Sequence, residues 1–146
     1  MKQLTKKWMF LTGLCAITLV ACQKDPVEQT CTTSTTGIAG TYKLTASQYK
    51  MSVASAPIDY LPFMDACEKD DLLTLKKDGT YIYTDAGTTC SPDGSDNGNW
   101  SVTGNTITSD GIISGTIQSY DCKTLVVYIE NVTVPGDRFT QTLVKQ

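Results

Sequence analysis

From Gly37 onward the chain is cut at short intervals by turn dipeptides: Asp78-Gly79, Gly104-Asn105, Asp110-Gly111 and Pro135-Gly136. Between them lie runs rich in Val, Ile, Thr, Tyr and Leu. Dipeptides of this kind supply the positive φ or preset bend of a tight reversal, so two β-rich runs flanking one of them are expected to pair as a hairpin. Read this way, strands fall at 41–49, 71–77, 80–84, 99–103, 106–109, 112–119, 122–132 and 137–145. Nearly all the connections are short, which gives an antiparallel meander. Eight such strands can remove their unpaired edges by closing on themselves, so the expected fold is all-β, an eight-stranded antiparallel up-and-down barrel wide enough for one small ligand.

The stretch 50–69 is the exception. Pro57 and Pro62 are expected to break any strand there, and 62–69 could form one short helical turn. Yet Met51, Val53, Ile58, Tyr60, Leu61, Phe63 and Met64 make it apolar for a surface connection. Leaving such side chains in water forgoes about 1.5–3 kcal/mol each. The stretch is therefore expected to cover one mouth of the barrel, either as a minor plug or as a lid over a ligand.

The N-terminus carries a different message. Lys2, Lys6 and Lys7 precede an apolar run from Trp8 to Ala21. That run is short of the roughly 20 residues a stable span needs, and it has the layout of a secretory signal. It ends in Leu19-Val20-Ala21-Cys22, which resembles the lipobox of bacterial lipoproteins. This implies diacylglycerol on the Cys22 thiol and cleavage before it. Residues 1–21 are thus expected to leave as a lipoprotein signal peptide. Residues 22–36, polar and Thr-rich, would be a lipidated flexible tether, and 37–146 the barrel domain. Gln23-Lys24-Asp25 resembles the export signal of Bacteroidota-type lipoproteins, though plain linker composition explains it equally well. The expected place is the outer membrane, with display at the cell surface as one reading and the periplasmic face as the alternative.

Composition narrows the chemistry. Cleavage removes 21 of 146 residues and three lysines, leaving 125 residues with 9 basic against 15 acidic side chains. A net charge of −6 is the wrong sign for nucleic acid. With no histidine anywhere, Ser-His and Cys-His nucleophilic pairs and His-ligated zinc have no residues to use. Asp70-Asp71, the one adjacent acidic pair, reads as two solvated charges on opposite faces of a strand. Asp93 to Gly98 matches the first half of a calcium loop, but its twelfth position is Gly104 where a bidentate glutamate is needed, so it reads as a polar hairpin loop. Asn131-Val132-Thr133 fits a glycosylation sequon, in a bacterial strand a coincidence. No cofactor or metal is expected, and no enzymatic activity.

Four cysteines remain besides Cys15 and Cys22: Cys31, Cys67, Cys90 and Cys122. In an exported chain an even number reads as two disulfides. With Asp78 and Gly79 as the two central residues of a hairpin turn, Leu75 faces Ile82 and Leu73 faces Thr84. Cys67 and Cys90 are then equidistant from the turn, within disulfide reach if the hairpin extends that far. This favours Cys67–Cys90 and leaves Cys31–Cys122.

Gly40-Thr41-Tyr42-Lys43-Leu44, with Tyr42 where tryptophan is usual, is followed in order by Cys67, Asp70-Asp71, Lys77-Asp78-Gly79-Thr80-Tyr81, Cys90 and Gly98-Asn99-Trp100. This order resembles the lipocalin-like domain family of secreted bacterial lipoproteins. The resemblance implies a small β-barrel with room for a ligand, and no particular ligand. Two functions are carried forward. The first is a lipid-anchored, non-catalytic monomer holding a small apolar molecule, with Tyr42, Leu44, Ile58, Tyr60, Leu61, Phe63, Leu73, Leu75, Ile82 and Trp100 as ligand-contacting candidates. The second is a surface interaction module gripping a protein or glycan through its loops. Leu44, Leu73, Leu75, Ile82, Trp100, Val102 and Ile107, all expected inside, are bulky enough to fill much of a small barrel and so support the second.

Overall fold

The computed structural model describes residues 30–146. The expected signal peptide, the lipobox-like Leu19-Val20-Ala21-Cys22 and Gln23-Lys24-Asp25 lie outside the described residues. Nine strands form one antiparallel sheet: β1 (Gly40–Lys50), β2 (Ile58–Asp59), β3 (Leu72–Leu75), β4 (Thr80–Thr84), β5 (Asp96–Thr103), β6 (Thr106–Ser109), β7 (Ile113–Tyr120), β8 (Thr124–Glu130) and β9 (Arg138–Lys145). Each of β3 to β8 pairs with the next, β3 pairs with β1, and β9 pairs along nearly all of β1, from Tyr42↔Lys145 to Lys50↔Arg138. The sheet is therefore a closed eight-stranded up-and-down barrel, with β2 as a two-residue addition to the far end of β1. All eight strands read from the sequence are present. The ninth follows directly on Pro57, which contributes no N–H to the ladder, and pairs Ile58 with Tyr49 and Asp59 with Gln48. The segment 50–69 thus holds a short strand between Pro57 and Pro62, contrary to expectation.

Strand direction sorts the connections. One end carries the tight turns after β3, β5 and β7. The other carries the segments 51–71, 85–95, 110–112 and 131–137.

The first end is closed and packed. Ser34 accepts from the Gly37 N–H and caps a single helical turn, α1 (Thr35–Ile38), that lies across it. Ile38, Tyr42 and Leu125 are fully buried there, beside Leu75, Trp100 and Ile117. The polar atoms of this plug are satisfied. The Tyr42 hydroxyl donates to the Ile38 carbonyl, Trp100 Nε1 to the Lys76 carbonyl (2.9 Å), and the Tyr120 hydroxyl to the Gly37 carbonyl (2.9 Å). Lys145 Nζ reaches the Ala39 carbonyl (3.0 Å) and lies 5.4 Å from the Tyr42 ring centroid. Burial, and then the neighbouring Tyr120, hold the Tyr42 phenol well above its ordinary pKa. Cys31–Cys122 ties the chain to the turn after β7. Bonded structure accordingly begins before Gly37: Cys31, Ser34 and Thr35, whose hydroxyl accepts from Val102 N, all belong to the domain.

Two register details differ from expectation. The β3–β4 turn holds three residues, not two. Lys76 N–H bonds to the Thr80 carbonyl, Gly79 N–H to the Lys76 carbonyl, and Gly79 has φ +84°. Leu75 therefore faces Tyr81 and Leu73 faces Tyr83. A shift of one residue flips a strand's faces, so Tyr81 and Tyr83 point in while Ile82 points out and is exposed. In β1 plain alternation would place Ala46 inward with Tyr42 and Leu44, but a bulge between Leu44 and Ala46 shifts it and Ser47 takes the inner side, buried.

Candidate functional site

The open half of the barrel is hollow. A cavity of about 390 Å³ is walled by Leu73, Leu75, Tyr81, Tyr83, Trp100, Ile107, Val127, Ile129 and Leu143. Two inward positions carry no side chain, and neighbours lie close against both. Gly98 lets the Asp110 carboxylate lie where a Cβ would be, and Gly115 lets Val127 and Ile107 close over the backbone. At the lip stand Gly94, Asp96 and Ile113. Ile113, 58% exposed, shows that the cavity opens to solvent. A second space of about 120 Å³ adjoins it across Leu73, Tyr83, Gln141 and Leu143, and is also lined by Tyr42 and Leu44. A third, of about 280 Å³, lies under the 51–69 segment, against Tyr60, Phe63, Met64 and Phe139. Gln141 borders all three.

The candidate ligand contacts separate accordingly. Leu73, Leu75 and Trp100 line the main cavity, Tyr42 and Leu44 the second, and Tyr60 and Phe63 the third. Ile82 sits on the outer face for the register reason above. Ile58 and Leu61 line none of these spaces. The 51–69 segment does stand at the open end. Tyr60 packs between Phe139 (5.0 Å, edge-on) and Tyr49 (6.5 Å). Its apolar side chains are not all withdrawn from water, however. Phe63 is 71% exposed and Ile58 51%, with Met51 and Val53 also exposed. Tyr81, Tyr83, Val127, Ile129, Gln141 and Leu143 are contacts the sequence reading passed over. The alternation Leu125, Val127, Ile129 in β8 and Phe139, Gln141, Leu143 in β9 marks most of them.

Carboxylates shape this end. The expected solvated pair Asp70-Asp71 is instead hydrogen-bonded. Asp71 is buried, accepting from the Tyr83 hydroxyl (2.7 Å) and Ala86 N (3.1 Å), while Asp70 accepts from Thr88 N (2.9 Å). The donors to Asp71 replace the water a buried carboxylate loses, whereas Asp70 Oδ1 is buried without a partner among the described residues. Burial, and then Asp71, push the Tyr83 phenol upward. Asp85 binds the Cys90 and Gly94 amides. Asp65 and Glu68 box the 3₁₀ turn Ala66–Glu68. The result places Cys67 beside Cys90, with Cα atoms 5.2 Å apart. The pairing is the expected one, but it arises from two folded loops, because the true hairpin register does not bring the cysteines face to face. Residues 93–98 are likewise not all loop: β5 begins at Asp96.

A polar cluster stands at the lip of the main cavity. The Tyr81 hydroxyl lies 2.9 Å from Asp96 Oδ2 and 3.0 Å from Asp110 Oδ2. The Ser109 hydroxyl pulls its pKa down, but Asp96, burial and Asp110 outweigh it and raise the phenol above its usual value, so Tyr81 remains a donor.

An up-and-down barrel with room inside is the architecture that the turn pattern and the motif order implied. The lipocalin-like domain model matches residues 38–133. The chain belongs to the lipocalin-like domain family. The match ends before β9, the strand that closes the barrel onto β1. No curated protein and no solved structure matches the chain.

Proposed function

We propose that this lipocalin-like protein is a non-catalytic carrier, held to a membrane by lipid on Cys22, that keeps a small apolar molecule inside its barrel. The observation that carries the reading is the 390 Å³ cavity, apolar on most of its wall and open at one end. Supporting it, the chain has no histidine to build the common nucleophilic or acid–base pairs. The two disulfides accord with export, and Cys22 stands nine residues before Cys31. Cys31 joins the closed end, so an anchored chain would present its mouth away from its membrane. The outer membrane is the proposed location, with the outward or periplasmic face to be decided by protease access in intact cells.

The test is extraction of the protein purified from its own envelope. A carrier yields one class of apolar molecule at close to one per chain. Delipidated protein that extracts empty and takes up no apolar compound overturns the reading. Tagged fatty acid should label the wild type and not Cys22→Ala.

A second reading, an interaction module, is favoured by one observation. Phe63, Ile112 and Val53 project into solvent around the mouth, Ile112 and Val53 more than four-fifths exposed. Phe63→Ser with Ile112→Ser should weaken partner capture if that reading holds, and leave small-molecule content unchanged if it does not.

A further inference from the structure

We propose that the third interior space binds a neutral sugar ring, stacked on Tyr60 and Phe63 and hydrogen-bonded by Ser47 and Gln141. The site stands apart from the main cavity, so it goes beyond the carrier reading, and its failure would leave that reading in place. The space, about 280 Å³, lies near the lower limit of ligand pockets, about 300 Å³, which suits one ring and not a long chain.

A buried hydroxyl points to the ligand. The bulge in β1 turns Ser47 inward, where it is 1% exposed. Its carbonyl accepts from Tyr60 N (2.7 Å), but its hydroxyl has no hydrogen-bond partner among the described residues. Of the three interior spaces, Ser47 borders the third alone. A buried hydroxyl without a partner is costly, and a group entering that space can supply one. The Tyr60 hydroxyl and the Gln141 amide, whose residues line the same space, also lack hydrogen-bond partners among the described residues.

Each of these three groups can both donate and accept. An ammonium ion would leave their donors unused. A carboxylate or phosphate would leave their acceptors unused and would meet Asp65 and Glu68, with no basic side chain among the described residues lining the space. Sugar hydroxyls donate and accept alike, and can donate to those two carboxylates as well. The face of a sugar ring is a patch of C–H groups, which suits the electron-rich face of an aromatic ring. Tyr60 offers one such ring, fixed edge-on against Phe139 at 5.0 Å. Phe63, 6.0 Å from Tyr60 and 71% exposed, offers a second.

NMR titration of the purified, disulfide-intact protein tests this with methyl glucoside, methyl galactoside and methyl mannoside. Sorbitol, which has the hydroxyls without the ring, and glucuronate, which adds an anion, are the controls. At least one glycoside should shift the amides of Ser47, Tyr60 and Gln141 saturably and bind about tenfold or more tighter than either control. Phe63→Ala should fold like wild type and weaken glycoside binding about tenfold. Ser47→Ala should weaken it by about three- to tenfold with melting temperature unchanged or raised, because an unpaired buried hydroxyl is removed. No saturable shift from any of the three glycosides, sorbitol or glucuronate bound as tightly as the best of them, or binding that survives both substitutions overturns the proposal.

Discussion

The two halves of the barrel are built from the same strands and reach opposite outcomes. At the closed end every inward position carries a bulky side chain. Ile38, Tyr42, Leu75, Trp100, Ile117 and Leu125 fill the lumen, and helix α1 supplies carbonyls for the buried hydroxyls. At the open end the same strands offer Gly115, Ser109 and Gln141, and the space between them stays empty. An eight-stranded barrel is just wide enough for its own side chains to fill it. A few small inward residues therefore decide whether it is a core or a container. Bulky candidates such as Trp100 and Leu75 are correctly placed inside, but they fill only one half.

The largest expected effects separate the halves by stability. Replacing Cys31 and Cys122 with Ser opens a loop spanning 91 residues; replacing Cys67 and Cys90 opens one of 23. In the chain-entropy view the losses are about 4.6 and 3.5 kcal/mol. Denaturant melts should rank the closed-end pair as the costlier, and an inverted ranking would break the comparison. Trp100→Ala should cost about 3–5 kcal/mol, as a large side chain lost from a packed core does. Ile113→Ala at the lip, where half the side chain is already wet, should cost under about 1.5 kcal/mol.

A subtler difference is acid sensitivity, which the open end should show through Asp137. Burial alone would raise its carboxyl pKa. The Thr133 hydroxyl and the amides of Val134, Thr133 and Val132 outweigh burial and hold it well below the carboxylate range. A folded pKa lowered in this way stabilises the fold above the unfolded value of about 3.9, and that contribution is lost as pH falls below it. Asp137→Asn should therefore be less stable than wild type at pH 7, with the gap narrowing as pH falls below about 4. A gap that is constant with pH would remove Asp137 as the cause.

The strand order was legible because turn chemistry is local. Asp110-Gly111 or Pro135-Gly136 needs no tertiary context to reverse a chain. Register was less so. Lys77 joins Asp78 and Gly79 in the β3–β4 loop, and nothing in its side chain announces this; that one residue moves Ile82 outside and brings Tyr81 and Tyr83 in. The bulge after Leu44 is hidden for the same reason. Asp96, Asn97 and Gly98 look like loop because they are polar, yet they pair with Tyr83, Ile82 and Tyr81 as strand, and the inner side of that strand faces a wet lip. The site was partly legible through Leu73, Leu75 and Trp100. The cavity itself was not, because emptiness depends on which small residues meet across the lumen.

The most direct test of a half-filled, half-hollow barrel adds the same bulk on its two faces. Leu143 lies between the first two inner spaces, and Ile82 projects from the outer wall. Binding of an apolar fluorescent probe to the purified domain should be saturable at one per chain. Leu143→Trp should weaken it by about tenfold or more with melting temperature nearly unchanged, because the ring enters space that is already there. Ile82→Trp should bind like wild type. If wild type takes up no probe, or if Leu143→Trp and Ile82→Trp bind it equally well, the hollow half is not a ligand chamber.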